Sequence, residues 1–330
     1  YSDSDHDKFG ELGIEHLRLA VDLDNFSIRD ILKAIEISKR LNLNFDLAIT
    51  ARNCDQIKDF IIKNLKLVKL IRNCLIFSKV HKVTPEEFIS TIREVMGSDV
   101  EISGGTNFYF TEINRGQPVV SGIDQINFSL NPQVHSFDDR TLIQNLATQQ
   151  VIAINAARIA GVLGVSVGPI SLLPRFNPNA TEPERDVSNT ALPASVDIRQ
   201  LGWFAEAWTA ISIKYLSQSA KIKTATYFET VGWRGIRESV AGSRDPINFP
   251  SNPGEPFPIW KLFASLKGFN KCVLSNSNFP EMIDSLIIRN SLTTRLILVN
   301  FTNEASQVYF DGIELDSVTL PPLSTTYMDI

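Results

Sequence analysis

The sequence predicts an α/β protein: a (β/α)8 TIM barrel whose first strand is missing from the chain, followed by a small antiparallel β-sandwich-like domain. Three observations carry this. Runs rich in aromatic and β-branched residues alternate with amphipathic stretches through residues 1–270, as expected of βαβ units and a parallel sheet. No glycine-rich phosphate loop follows an early run, which counts against an open doubly wound sheet. After residue 269 the runs become short and closely spaced, with a hairpin-type turn at Asp311-Gly312.

The elements follow in order. Residues 5–12 read as a helix. Strands are expected at 17–22, 45–49, 70–77, 101–110, 125–130, 165–170 and 224–228, each an apolar or aromatic run bounded by polar or turn-forming residues. These seven fall one short of a barrel, and the first is expected just upstream of Tyr1. Residues 28–41 and 85–96 place apolar side chains at helical spacing, with Thr84 as N-cap, Pro85 at the first helical position, and Glu86 and Glu87 in the first turn. Residues 141–160 read as one long helix with Leu142, Leu146, Ala153 and Ala157 on a shared face, and 205–219 as another. The proline-bearing stretches 177–196 and 242–258 are expected to be loops over the barrel mouth. Short strands at 285–289, 295–301, 307–310 and within 318–327 form the second domain, residues 271–330, too small to be secure unless it packs on the barrel.

Composition narrows the function. With 330 residues, 43% hydrophobic and 21% charged, the chain is ordinary globular material. A net charge of −5, and lysines such as Lys58, Lys63, Lys66 and Lys69 spread along the chain, argue against a nucleic-acid partner. No apolar run reaches the ~18 residues of a membrane span, so no membrane partner is expected. Cys54, Cys74 and Cys272 have neither disulfide nor zinc spacing and read as buried free thiols of a reducing, cytoplasmic setting. No metal and no cofactor is expected: His135 has no HxH or HExxH companion. Gly164-Val-Ser166-Val-Gly168 has the letters of a nucleophile elbow, but its serine lies inside a strand-like run. Oligomeric state leaves no mark in the sequence.

The chemistry concentrates in two segments, Phe108-Tyr-Phe-Thr-Glu112-Ile-Asn114-Arg115 and Thr226-Tyr-Phe-Glu229-Thr-Val-Gly232-Trp233. Each is an aromatic run ending in one glutamate. Residues at the C-terminal ends of barrel strands face the catalytic mouth, where a carboxylate pair performs acid/base or nucleophilic hydrolysis. Glu112 and Glu229 are therefore the candidate catalytic pair, with surface acids capping the next helix as the bland alternative. His135, after the fifth run, is a third candidate, for oxyanion stabilisation or proton relay; the alternative is a loop histidine bonding a carbonyl. Arg175 offers a planar fork to a carboxylate or a row of hydroxyls, or else an ion pair pinning its loop. Tyr227 and Trp233 could form a platform for a sugar-like ring, or simply be core. Asn107, Asn114, Arg115 and Asn131 complete the candidate binding residues.

With these residues assembled, the chain resembles the D-apionate lactonase family, enzymes that open the lactone of a branched sugar acid. The matching blocks are 104–115, 129–137, Leu173-Pro-Arg-Phe-Asn-Pro-Asn-Ala180 and Tyr227-Phe-Glu-Thr-Val-Gly-Trp-Arg-Gly235, and the likeness covers most of the chain from about Gly10 onward. The resemblance implies a barrel related to glycoside hydrolases with two glutamates on strands three apart, and a small-molecule sugar lactone as partner. Two other readings stay open: a retaining glycoside hydrolase with Glu229 as nucleophile and Glu112 as acid/base, and a non-catalytic barrel that binds sugar acids.

Overall fold

A computed structural model describes residues 8–64, 70–175 and 192–330. Seven parallel strands form one curled sheet in sequential order: β1 (His16–Asp22), β2 (Asn44–Ala51), β3 (Asn73–Ser78), β4 (Glu101–Tyr109), β5 (Gln125–Leu130), β6 (Gly164–Ile170) and β7 (Ile222–Tyr227). β3, β5 and β6 are buried along their whole length, because helices cover one face while the barrel interior closes over the other. Between the strands lie α1 (Ile28–Leu41), α2 (Cys54–Lys63), α3 (Glu86–Met96), α4 (Phe110–Gly116), α5 (Asp139–Gln144), α6 (Thr148–Ala160) and α7 (Trp203–Ser217), with α8 (Ile259–Ser265) after β7.

Among the described residues the sheet does not close on itself. β1 and β7 are its two edges, so the slot of the eighth barrel strand lies between them. At the upper rim residues 234–237 fold back on the segment that follows β7: Glu229 and Gly235 form a parallel bridge, and the Glu229 N–H donates to the Arg234 carbonyl at 2.8 Å. Lower down, His16 Nε2 and Thr226 Oγ1 meet at 2.8 Å across the gap. At the foot, the Gly13 N–H donates to the Phe263 carbonyl of α8. A Cβ at Gly13 would sit 2.4 Å from the Lys267 nitrogen, so only glycine permits this approach.

Several expectations need revision. Helix α3 begins at Glu86 with Pro85 as its N-cap; Thr84 is drawn into the sheet instead, its hydroxyl donating to the Ile76 carbonyl at 2.6 Å and accepting from the Gly105 N–H at 3.0 Å. The expected helix 141–160 is two helices, α5 and α6, separated by a 3-10 turn at Asn145–Ala147, where the Thr148 hydroxyl bonds the Asn145 carbonyl and competes with the helical ladder. Among the described residues of the N-terminal helix expected at 5–12 there is a 3-10 turn, Phe9–Glu11; residues 5–7 lie outside them. Cys74 is buried, but Cys54 is half-buried and Cys272 exposed. The loop expected at 177–196 lies mostly outside the described residues.

The C-terminal part is a four-stranded antiparallel sheet in the order β13 (Ser324–Asp329), β10 (Thr294–Asn300), β9 (Ile283–Arg289), β8 (Lys271–Val273), with a two-stranded sheet of β11 (Ser306–Val308) and β12 (Val318–Leu320). It packs on α7, which explains why that helix is apolar nearly all round: one side meets the barrel and the other the C-terminal sheet. The polar groups that α7 does bury are matched across this joint. Lys214 pairs with Asp284 of β9, and the Tyr327 hydroxyl of β13 donates to Glu206 at 2.6 Å.

Candidate functional site

The register of the strands sets the level of the mouth. Tyr109 stands opposite Ser129, Leu130 opposite Ile170, and Ile170 opposite Tyr227. The segments after β4 and β7 therefore leave the sheet at the same end, two strands lying between them. Phe228 turns the chain out of β7 with φ 55°, a strained conformation for a bulky residue. It is held by its N–H bond to the Ile170 carbonyl at 2.8 Å, and it delivers Glu229 to the rim.

Glu229 is gripped by two arginines. Arg234 Nε donates to its Oε1 at 2.9 Å and Arg175 Nη2 lies 3.1 Å from the same oxygen. Arg234 is fixed in turn by Ser195 Oγ at 2.7 Å. Beneath them a cavity of about 1110 Å³ runs down the slot between β1 and β7. Glu229, Arg175, Asn107, Tyr227, Arg18 and His16 all line it. Arg18, from mid-β1, crosses the interior: Nη1 donates to the Gly168 carbonyl at 2.7 Å and to Asn127 Oδ1 at 3.3 Å, and Nη2 to Asn107 Oδ1 at 3.3 Å. Burial, reinforced by the like charge of Arg175, brings Arg18 down to about 9. Burial also lowers Arg175, against the opposing pull of Glu229. Burial first, then Arg72 and Arg18, pushes His16 down to about 4, so its imidazole is neutral at pH 7. At the barrel floor Asp46 accepts from Arg72 at 2.6 Å, yet its burial raises it to about 6.

The other candidates, Tyr227 apart, stand outside that cavity. Glu112 is in α4, buried at the rim beside Arg115 Nη1 at 3.4 Å and Lys82 Nζ at 3.9 Å, and does not line the cavity that Glu229 lines. Asn114 and Arg115 share that short helix; both are exposed. His135 and Asn131 line a separate cavity of about 280 Å³ with Thr141, Asn145 and Gln149, against α5 and α6. The Asn131 side chain also bonds the Tyr109 hydroxyl, which burial raises above its usual value. Tyr227 turns its hydroxyl to Ser212 Oγ of α7 at 2.8 Å, and the Trp233 indole donates to Ser243 Oγ at 3.1 Å. The structure thus brings Glu229, Arg175, Asn107 and Tyr227 together, and adds Arg18, His16 and Arg234. His16 and Arg18 had one sequence signal: they recur at every second place in an otherwise apolar run, the phase of one strand face. Arg234 follows Trp233 in the quoted Glu229 block. Among the described residues no group of three or more His, Cys, Asp or Glu is placed to hold a metal ion, and no helix is long and apolar enough to cross a membrane.

Comparison with known proteins agrees with this architecture. The family described as D-apionate lactonase, TIM barrel domain, matches residues 2–271. A D-apionate lactonase of Brucella anthropi is 24% identical over 229 residues, covering 68% of this chain and 35% of the relative. The matched region is therefore about a third of that relative's length. Among solved structures, a family 51 α-L-arabinofuranosidase from Bifidobacterium longum superposes with a TM-score of 0.62 at 10% identity, covering 98% of this chain and 88% of that one. A GH30 endoxylanase from Clostridium papyrosolvens gives 0.56 at 10% identity, with 93% and 79% covered. At such identities these two speak for the fold alone.

Proposed function

The chain belongs to the D-apionate lactonase family, and from that premise we propose that it is a hydrolase that opens a sugar-acid lactone, D-apionolactone, to the free acid. The observation that carries this reading is Glu229: a carboxylate delivered by strained backbone to the end of β7, oriented by two guanidinium groups, above a cavity large enough for a sugar ring. In the proposed reaction Glu229 takes a proton from a water molecule as that water attacks the lactone carbonyl. Arg175, which pairs with the same carboxylate, is proposed to stabilise the tetrahedral oxyanion, a role worth ~3 kcal/mol per donor. Collapse of that intermediate breaks the ring C–O bond, and the departing alkoxide needs a proton. The proton that Glu229 took from the water is available for that alkoxide, and returning it restores the base; Glu112 does not line this cavity.

The test is a substrate panel. Incubation with D-apionolactone and with aryl glycosides, followed by titration of released acid and by aglycone absorbance, is expected to show acid release from the lactone alone. Aglycone release without lactone opening would replace this reading with a glycosidase in which Glu229 is the nucleophile. Absence of turnover on both would leave a binding barrel.

A further inference from the structure

The cavity beneath Glu229 holds more positive than negative charge, and its central cation is unusual. A charge taken out of water is ordinarily matched by an opposite one. Arg18 donates only to neutral acceptors among the described residues: a carbonyl at 2.7 Å and two amide oxygens at 3.3 Å. Asp46, the acid whose field reaches it, bonds Arg72 through Oδ2 at 2.6 Å and makes no hydrogen bond to Arg18. Glu229 makes no bond to Arg18 either; its Oε1 pairs with Arg175 and Arg234. A guanidinium has five N–H donors. Three enter the described bonds, all from Nη1 and Nη2, which leaves the Nε–H and one further N–H without an acceptor among the described residues. The Nε–Nη2 edge is the fork that grips a carboxylate side-on. A purely structural strut between β1 and the far strands is the competing role for Arg18. It accounts for the three bonds and for the Phe77 ring 5.6 Å from the guanidinium carbon, but not for the two N–H groups left without an acceptor among the described residues.

We propose that Arg18 and Arg175 form a carboxylate-binding subsite, and that the cavity takes a small hydroxylated monocarboxylate, with its acid group on the Arg18 fork and its hydroxyls toward Asn107. This deepens the lactonase reading and rests on it for the choice of ligand, because ring opening converts a neutral lactone into such an acid. The product then binds more tightly than the substrate, and the acid inhibits its own formation.

Isothermal titration of the whole chain with D-apionate and with the corresponding alditol, which replaces the carboxylate by CH2OH, tests this without any turnover. The acid is expected to bind at least ~10-fold more tightly than the alditol, consistent with a charge-assisted fork. Arg18→Gln is expected to remove that preference and to leave the weak alditol binding in place. If circular dichroism shows that Arg18→Gln fails to fold, Arg18→Lys carries the test: it keeps the charge, loses the fork, and is expected to bind the acid less tightly than the parent chain. Equal binding of acid and alditol by the parent chain, binding of neither, or undiminished acid affinity in the folded variant overturns the subsite. Acid binding that depends on Arg18 without lactone opening supports the subsite and refutes the lactonase reading. Lactone opening without a preference for the acid refutes the subsite alone.

Discussion

Replacing Asp284 with Asn tests how the C-terminal sheet is fastened to the barrel. Asp284 and Lys214 pair with side-chain exposures of only 0% and 5%, and Asp284 also accepts from the Tyr215 hydroxyl at 3.2 Å and the Ser285 N–H at 2.8 Å. Asparagine keeps the shape and an acceptor but leaves the Lys214 ammonium buried without its counter-charge. Breaking a buried pair in this way costs about 3–5 kcal/mol. An unfolding entropy of about 2.1 cal/mol/K per residue gives about 0.7 kcal/mol/K for 330 residues, so a loss near the middle of that range lowers Tm by about 6 °C. Differential scanning calorimetry at pH 7 reads this directly. The double variant Lys214→Met/Asp284→Leu separates lost charge balance from lost shape, since an apolar replacement of both partners is commonly neutral or better. A single variant within 1 °C of the parent chain (against the expected ~6 °C), or a double variant as unstable as the single one, would refute the claim that this pair is what the joint must keep balanced.

Other outcomes are equally checkable. The folded state lowers His16 from 6.5 to about 4, so its contribution is present in full above pH 6.5 and is lost as pH falls through about 4. Asp46, raised to about 6, runs the opposite way: its contribution is present below 3.8 and lost as pH rises through about 6. Because the two oppose each other, the informative quantity is the difference in urea midpoint between the parent chain and His16→Gln, which is expected to shrink between pH 7 and pH 4; a difference that stays constant contradicts the shift. Gly13→Ala forces a methyl against the Lys267 and Leu266 backbone and is expected to lower Tm by several degrees, with loss of protection of α8 in hydrogen exchange; parental protection would show that the foot of the slot can yield. Arg234→Met removes one of the two grips on Glu229 and is expected to lower kcat for D-apionolactone at least ~10-fold while the chain stays folded, as seen by rate and circular dichroism.

The barrel strands are legible in the sequence because each is an apolar run standing between polar stretches. Residues 73–78 and 164–170 are buried at every position, as parallel strands covered on both faces are, and the β-branched and aromatic runs expected at 70–77 and 165–170 overlap them. The break between α5 and α6 is not legible, since Leu142, Leu146 and Ala153 keep helical spacing across it and only the local bond from Thr148 to Asn145 interrupts the ladder. The same limit applies to the site. Glu229 and Arg175 announce themselves as polar residues at strand ends. Arg18 sits in mid-strand, and its meaning comes from Asn107, Asn127 and Gly168, each 89 or more residues away in the chain. His135 and Glu229 both follow strands, yet the loop after β5 lies against α5 and α6, so the two line different cavities; strand order alone does not reveal which way a loop folds.

Glu229 is proposed as the base that opens the lactone. The most direct measurement is kcat/KM for D-apionolactone in the parent chain and in Glu229→Gln, with Tm confirming that both are folded. A loss of at least ~100-fold is expected in the variant. Near-parental turnover by folded Glu229→Gln would contradict it.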